Sequence, residues 1–395
     1  MSVLKTTDDK TPAQAPATEE LCLKAGEPSQ SERRAESGAV SYLPFLDGLR
    51  AISILLVLGF HQLGPLSGWL GTQFNGWVGV DLFFLISGFL ISSILLKEQE
   101  RRGKFSLKNF YIRRWLRICP AYYAFLAFML VFTIVRGQHD FASFAIAGLY
   151  LTNVDMCFGW GLCTPLSGLM HTWSLSVEEQ FYLLWPATLK ACGKKAMAVC
   201  SALIGAAYLW RVYLATVAGA GWIRLSSGLD TKLDSIMLGV AVALLWRNEK
   251  FRQAAEQIFA APLMQLTVAC TLLAACHCLG HPATETNTVL FWAVKLPLVL
   301  VLMATLLVSL LANQESRTAR ILSSKPMIWI GRLSYSLYLW HVIVNFPCTD
   351  ALLQTICHHK RYIVEIAKLS TCFGFAAASY YLIEMPFLKL KSRYS

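Results

Sequence analysis

Residues 296–311 read LPLVLVLMATLLVSLL, without a charge in the stretch. A helix at the surface of a soluble protein keeps a polar stripe, and a half-buried strand keeps a polar alternate face. This segment has neither, so hydrocarbon or other protein must surround it. Working outward, runs of ~20 apolar residues, the length that spans a bilayer as a helix, recur along nearly the whole chain after residue 40. Of the 395 residues, 55% are hydrophobic and 15% charged, where soluble chains carry about a quarter charged. The mean hydropathy is +0.49. Transmembrane β-barrels alternate apolar and polar residues over ~10-residue segments, and segments that are apolar all round rule that pattern out. The expected fold class is all-α, a polytopic integral membrane bundle.

About ten transmembrane helices are expected, over 44–63, 77–96, 118–136, 172–189, 196–217, 230–247, 261–280, 290–312, 327–346 and 362–383. With the N-terminus inside, this order puts the basic clusters 97–117, 190–195, 247–252, 317–325 and 389–393 on the cytoplasmic side, as positive-inside topology requires. The basic loop His358, His359, Lys360 and Arg361 falls outside and does not fit. Segment 141–153 is too short to span comfortably and reads as an interfacial or re-entrant piece. The formal net charge of +11 is that of cytoplasmic loops, so nucleic acid is not an expected partner. Residues 1–40 are polar, lack the apolar core of a signal peptide, and read as a disordered cytoplasmic tail. Residues 41–386 form the membrane domain and 387–395 a short basic cytoplasmic tail.

The cysteines form neither a dense framework nor a CxxC metal site, and no metal is expected. Cys157 and Cys163 share one expected outer loop, and Cys348 and Cys357 another. An oxidising compartment would permit a disulfide in each, although spacing alone does not establish pairing.

Ionisable side chains inside spans are costly and by default functional. Arg50 and His61 lie in the first span on one helix face, ~16 Å apart along the axis. The bland alternative is a snorkelling arginine and a satisfied core histidine. Asp47, one turn before Arg50, is placed to hold its guanidinium. The next cytoplasmic loop, KEQERRGKFSLKNFYIRRWLRICPAYY (97–123), concentrates Arg113, Arg114 and Arg117 in an amphipathic stretch. Guanidinium groups bind phosphate bidentately, which suits a phosphorylated cytosolic ligand, while ordinary topology would explain a basic loop of any order. In HTWSLSVEEQFYLLWP (171–186), His171 and Glu178 share a face, so the carboxylate is placed either to orient a histidine or to stabilise the bundle with Glu179. His341, in GRLSYSLYLWH (331–341), lies at the outer end of its span, as an acceptor-pocket or interfacial residue.

DGLRAISILLVLGFH, VGVDLFFLISGFLISSILL, NFYIRRWLRICPAYY, HTWSLSVEEQFYLLWP and GRLSYSLYLWH occur in that order, and together they resemble the acyltransferase-3 family of bacterial membrane O-acetyltransferases. The resemblance runs from about residue 41 to 386. It implies that Arg50 and His61 match the family's Arg-x10-His pattern, essential to acyl transfer, and that Arg114 and Arg117 match an Arg-x-x-Arg pattern for the acyl-CoA donor, with Arg113 beside them. It places Glu178 at an acidic catalytic position, with Trp173 and Ser174 beside it and His341 at a recurrent histidine. Some members carry a hydrolase-like extra domain after the last span; none is visible here, and a stand-alone enzyme is expected.

The implied reaction is acyl transfer, acetyl foremost, from cytosolic acyl-CoA to a hydroxyl of a carbohydrate or lipid-linked glycan outside a bacterial inner membrane. Acyl-CoA would be a co-substrate, with no bound cofactor and with membrane lipids as surroundings. His61 would be the general base. The rival class is a transporter or flippase for a lipid-linked sugar or acyl metabolite, which intramembrane His, Glu and Arg suit equally. Neither the acceptor nor the oligomeric state is legible.

Overall fold

A computed structural model describes residues 42–63, 76–279, 288–358 and 360–391. The expected tail 1–40, the end of the basic tail beyond 391, and His359 lie outside the described residues. Each expected span carries a helix: α1 Pro44–Leu58, α2 Trp77–Arg102, α3 Leu107–Val135, α4 Trp173–Cys192, α5 Ala196–Thr216, α6 Leu229–Leu245, α7 Pro262–Leu279, α8 Leu296–Ala312, α9 Lys325–Trp340 and α10 Arg361–Ser379. The described residues contain no strand.

By length and apolarity, six helical stretches are able to cross a bilayer, or up to eight if each of two bent helix pairs is one span. That count leaves the expected ten or so unconfirmed. Helix α9 has 16 residues and α6 has 17 with three charged side chains in its first half, both short of the ~20 of a span. Helices α4 and α5 belong to one 47-residue helical stretch, Met170–Thr216. Segment 141–153 becomes the short helices Phe141–Gly148 and Thr152–Phe158, bent by 115° at the break. Tyr150 turns the chain there with a positive φ of 54°. Gln180 of α4 holds the bend, donating to the Tyr150 carbonyl at 2.9 Å and pairing with Asn153. Large apolar side chains on the outer faces of the bundle, among them Val131, Leu183, Leu209, Leu298 and Ile366, are exposed, as a surface facing lipid requires.

Two helix pairs set the directions. Helices α1 and α9 run side by side in the same sense: Arg332 of α9 meets Tyr42 and Asp47 at the start of α1, and His341 just after α9 meets His61 just after α1. The bundle therefore has an arginine end and a histidine end. Their backbones approach closely at Gly331, where a Cβ would lie 1.9 Å from the Asp47 carbonyl oxygen. Helices α2 and α6 also run parallel, starting at the histidine end, with Asp81 against Lys232 at one end and Glu100 against Arg247 at the other. Gly88 and Gly239 permit this second contact, each against a main-chain oxygen of the opposite helix. Helix α4 runs the same way as α2, because Glu178 meets Ser87 and Trp185 meets Ser92.

Helix ends explain local placement. Gly103, with φ 72°, stops α2, and the Ser106 side chain caps α3 by accepting from the Asn109 N–H. Helix α1 ends in a π-helical turn, Gly59–Leu63, which carries His61; π-bulges are rare and recur at functional sites.

Replacing Gly331 with Ala forces α1 and α9 apart and is expected to destabilise the protein by about 1–3 kcal/mol, the range for overpacking. A detergent melting curve that does not shift would contradict this backbone contact.

Candidate active site

At the arginine end, Tyr42, Asp47, Arg50, Arg117, Arg332, Tyr335, Tyr380, Glu384 and Leu388 enclose a cavity of about 220 Å³. The first two turns of α1 supply Asp47 and Arg50, the early turns of α3 supply Arg117, and α9 supplies Arg332. Asp47 is not the clamp expected for Arg50. Its Oδ2 accepts from Tyr42 Oη at 2.7 Å and lies 3.9 Å from Arg332 Nε. Arg50 and Arg117 make no hydrogen bond or ion pair within the described residues, and the two guanidiniums are close enough to repel each other. Two guanidiniums that face one cavity without a bonded carboxylate attract anions.

At the histidine end, the rings of His61 and His341 are 4.9 Å apart, and those of His341 and His171 5.1 Å. His341 Nδ1 lies 2.7 Å from the Tyr338 carbonyl, and His171 Nδ1 lies 3.1 Å from the Gly168 carbonyl. A carbonyl only accepts, so each Nδ1 carries the proton and each Nε2 presents a lone pair. Both Nε2 atoms are buried with no hydrogen-bond partner among the described residues, as is Gln62 Oε1, whose Nε2 donates to the His341 carbonyl at 2.8 Å. His61 is the exposed member of the three. Tyr338 ties the cluster together: its hydroxyl donates to the His171 carbonyl at 2.8 Å and lies 2.6 Å from Ser174 Oγ. Trp173 packs edge-on to Phe84. The HTWSLS and SLYLWH motifs are thus one hydrogen-bonded unit.

Glu178 stands between the ends. Ser87 Oγ donates to its Oε1 at 2.5 Å, and Tyr182 Oη donates to that Ser87 oxygen. Two helical turns, ~10 Å, separate Glu178 from His171, so the expected pairing of this carboxylate with a histidine is not made; backbone carbonyls orient His171 and His341 instead. The charges acting on Glu178 are Arg114 and Arg50, which places it with the arginines.

The loop arginines divide in the same way. Arg117 lines the cavity. Arg114 lies over the Tyr182 ring, 4.5 Å from its centroid. Arg113, one turn nearer the α2–α3 corner, is bound to Glu98 at 2.8 Å, and Glu98 also accepts the Ser106 N–H. Arg113 thus braces the corner rather than joining Arg114 and Arg117. The two cysteine pairs are not bridged; all four thiols are free. Cys157 Sγ turns to Ser227 Oγ at 3.6 Å, while Cys163 is buried with its N–H on Asp155. Cys348 and Cys357 flank the length of the helix Pro347–Ile356, ~13 Å apart along it, beyond the ~7 Å that a disulfide tolerates between Cα atoms.

Sequence reading missed Arg332, Tyr335, Tyr380 and Glu384 in the cavity, and Gln62 beside the histidines. Arg332 lay in a quoted motif, one residue past the glycine that brings α9 onto α1. It also missed a buried network beyond α2. Lys232 Nζ bonds both Asp81 oxygens at 2.9 and 3.0 Å, Ser235 bonds the same carboxylate, and Arg211 bonds Asp234 at 2.6 Å. Asp81 and Arg211 have no exposure at all. The available signal was the same rule that singled out Arg50, namely charges inside apolar helices.

Arginines thus gather at one end of the parallel α1–α9 pair and histidines at the other. Residues 43–382 match the acyltransferase-3 family, described as an acyltransferase domain, and the chain belongs to that family. It is 30% identical over 364 residues to a peptidoglycan O-acetyltransferase of Listeria monocytogenes, covering 88% of this chain and 56% of that one. It is 30% identical over 371 residues to a putative peptidoglycan O-acetyltransferase of Bacillus subtilis, covering 87% and 55%. A putative O-acetyltransferase of Staphylococcus aureus is 30% identical over 373 residues, 88% of this chain and 58% of that one. The chain therefore spans little more than half the length of these relatives. No solved structure matches it.

Removing one partner of the Asp81–Lys232 pair leaves a buried uncompensated charge. Lys232→Met alone is expected to cost about 3–5 kcal/mol, and the double change with Asp81→Asn clearly less than the sum of the two. Additive losses in a detergent unfolding series would show that the pair does not join α2 to α6.

Proposed function

We propose that this protein is a membrane O-acyltransferase that takes an acyl group, acetyl foremost, from cytosolic acyl-CoA and places it on a hydroxyl of a carbohydrate or glycoconjugate on the outer side of a bacterial inner membrane. The observation that carries the reading is the parallel α1–α9 pair, with an arginine at one end and a histidine at the other of each helix. Arg50 to His61 and Arg332 to His341 span ~16 and ~14 Å at 1.5 Å per residue. The donor's phosphates would bind Arg50 and Arg117 at the cytoplasmic face, with Arg114 and Glu178 behind them. Its long flexible arm would lie along α1 and present the thioester carbonyl at the histidine end. Both termini are then cytoplasmic.

At that end, His61 accepts the proton of the acceptor hydroxyl as its oxygen attacks the thioester carbonyl carbon. The carbon–sulfur bond breaks, and the imidazolium returns the proton to the departing thiolate, giving an ester and free CoA. His171 Nε2, His341 Nε2 and Gln62 Oε1 are hydrogen-bond acceptors without donors, which is what a polyhydroxyl ligand satisfies. Two relatives carry peptidoglycan in their names, so a cell-wall glycan is the first acceptor to try. Transport of a lipid-linked sugar would give no role to the paired ends, and the relatives named above are acetyltransferases.

Arg117→Ala is expected to raise KM for acetyl-CoA about tenfold, the loss of one charge-assisted contact, with kcat within a few-fold. His61→Ala is expected to lower kcat by ~10²–10⁴ with KM near wild type. Thiol release by reconstituted protein supplied with cell-wall glycan reads both. Wild-type turnover by the His61 variant would end the mechanism.

A further inference from the structure

The arginine-end cavity contains a group that an anion site does not need. Glu384 lines it together with Arg50 and Arg117 and is buried, 5% exposed. The positive charges acting on its carboxylate are those two guanidiniums, yet it bonds neither. Its Oε1 accepts from the Ser336 hydroxyl of α9 instead. A π-helical turn, Tyr380–Glu384, delivers it there, just as the π-turn after α1 delivers His61. The other carboxylate of the cavity, Asp47, is engaged by Tyr42 and Arg332. Glu384 is thus the counter-charge open to Arg50 and Arg117, and a hydroxyl keeps it to one side of them.

We propose that Glu384 is a built-in competitor of the donor's phosphates: a positioning residue, held off the Arg50–Arg117 pair by Ser336, that keeps CoA affinity low enough for the product to leave. The inference rests on the reading of this cavity as the acyl-CoA site. Free CoA keeps every phosphate that acyl-CoA carries, so a site of arginines alone would grip product as firmly as donor. Binding both states equally brings no gain in turnover. Away from bulk water a fixed carboxylate repels phosphate over several ångströms, which weakens both. The same carboxylate lessens the cost of keeping two guanidiniums side by side away from water. Ser336 sets the balance: with the carboxylate bound to its hydroxyl, the arginines stay open, and without it the carboxylate turns onto them.

The test is calorimetric titration of CoA into the purified full-length protein in detergent, with CoA release followed by stopped flow. Glu384→Gln keeps the shape and an acceptor for Ser336 but removes the charge, and is expected to tighten CoA binding by about tenfold or more and to slow its release. Ser336→Ala is expected to weaken CoA binding several-fold. A merely structural role for these residues would weaken binding in both variants, so the opposite signs are diagnostic. Wild type that binds CoA beside a Glu384→Gln protein that binds no tighter overturns the inference alone. If that variant does not fold, Ser336→Ala decides, and equal or tighter binding by it overturns the inference. A wild-type protein that does not bind CoA overturns the donor-site reading, and the inference with it.

Discussion

The site depends on one contact between main chains, that of α9 on α1 at Gly331 and the Asp47 carbonyl. Helices this close cannot slide past one another without carbonyl meeting Cβ, so the register of α9 on α1 is held. That register puts Arg332 beside Asp47 and His341 beside His61 in a single stroke. Further links then lock each end: Tyr42 with Asp47 and Arg332 at one, Gln62 with the His341 backbone and Tyr338 with the 171–174 segment at the other. The second parallel pair, α2 with α6, is closed by an ion pair that has almost no access to water, and its α2 packs on α1 where Gly79 meets the Ser53 carbonyl.

A membrane interior makes this architecture consequential. Polar groups there must be partnered, or they mark where something else binds. Several intramembrane charges of this chain are paired structurally: Asp81 with Lys232, Arg211 with Asp234, and Arg113 with Glu98. Others gather at the two ends of α1. At one, Arg50 and Arg117 bond no carboxylate, and at the other three acceptor atoms have no donor, among the described residues. An anion and a hydroxyl-rich molecule are the complements of those two deficits, approached from opposite ends.

The sequence made the helical class legible because all-round apolar stretches such as 296–311 have no other stable home. It also made the Arg50–His61 relation legible, since helical rise converts eleven positions into a distance. The number of crossings was less so: α6 and α9 are only 17 and 16 residues long, near the lower limit of a span. Partner choice was least legible. Asp47 lay one turn from Arg50, yet Tyr42 and Arg332 take it; Glu178 shared a face with His171, yet a serine on another helix takes it. Face-sharing within one helix says where a side chain points, not which neighbouring helix meets it. Glu384 went unnoticed because its relation to Arg50 exists only after α9 and the chain end close the cavity.

The central claim is that the donor stays at the arginine end while the acyl group alone reaches an acceptor at the histidine end. Proteoliposomes with the protein in one orientation, loaded inside with acetyl-labelled CoA and supplied outside with cell-wall glycan, test it most directly. Label appearing on the outer glycan as an ester, with CoA retained inside, is the predicted result. CoA escaping together with the label, or label remaining inside while the glycan stays unmodified, would contradict the account.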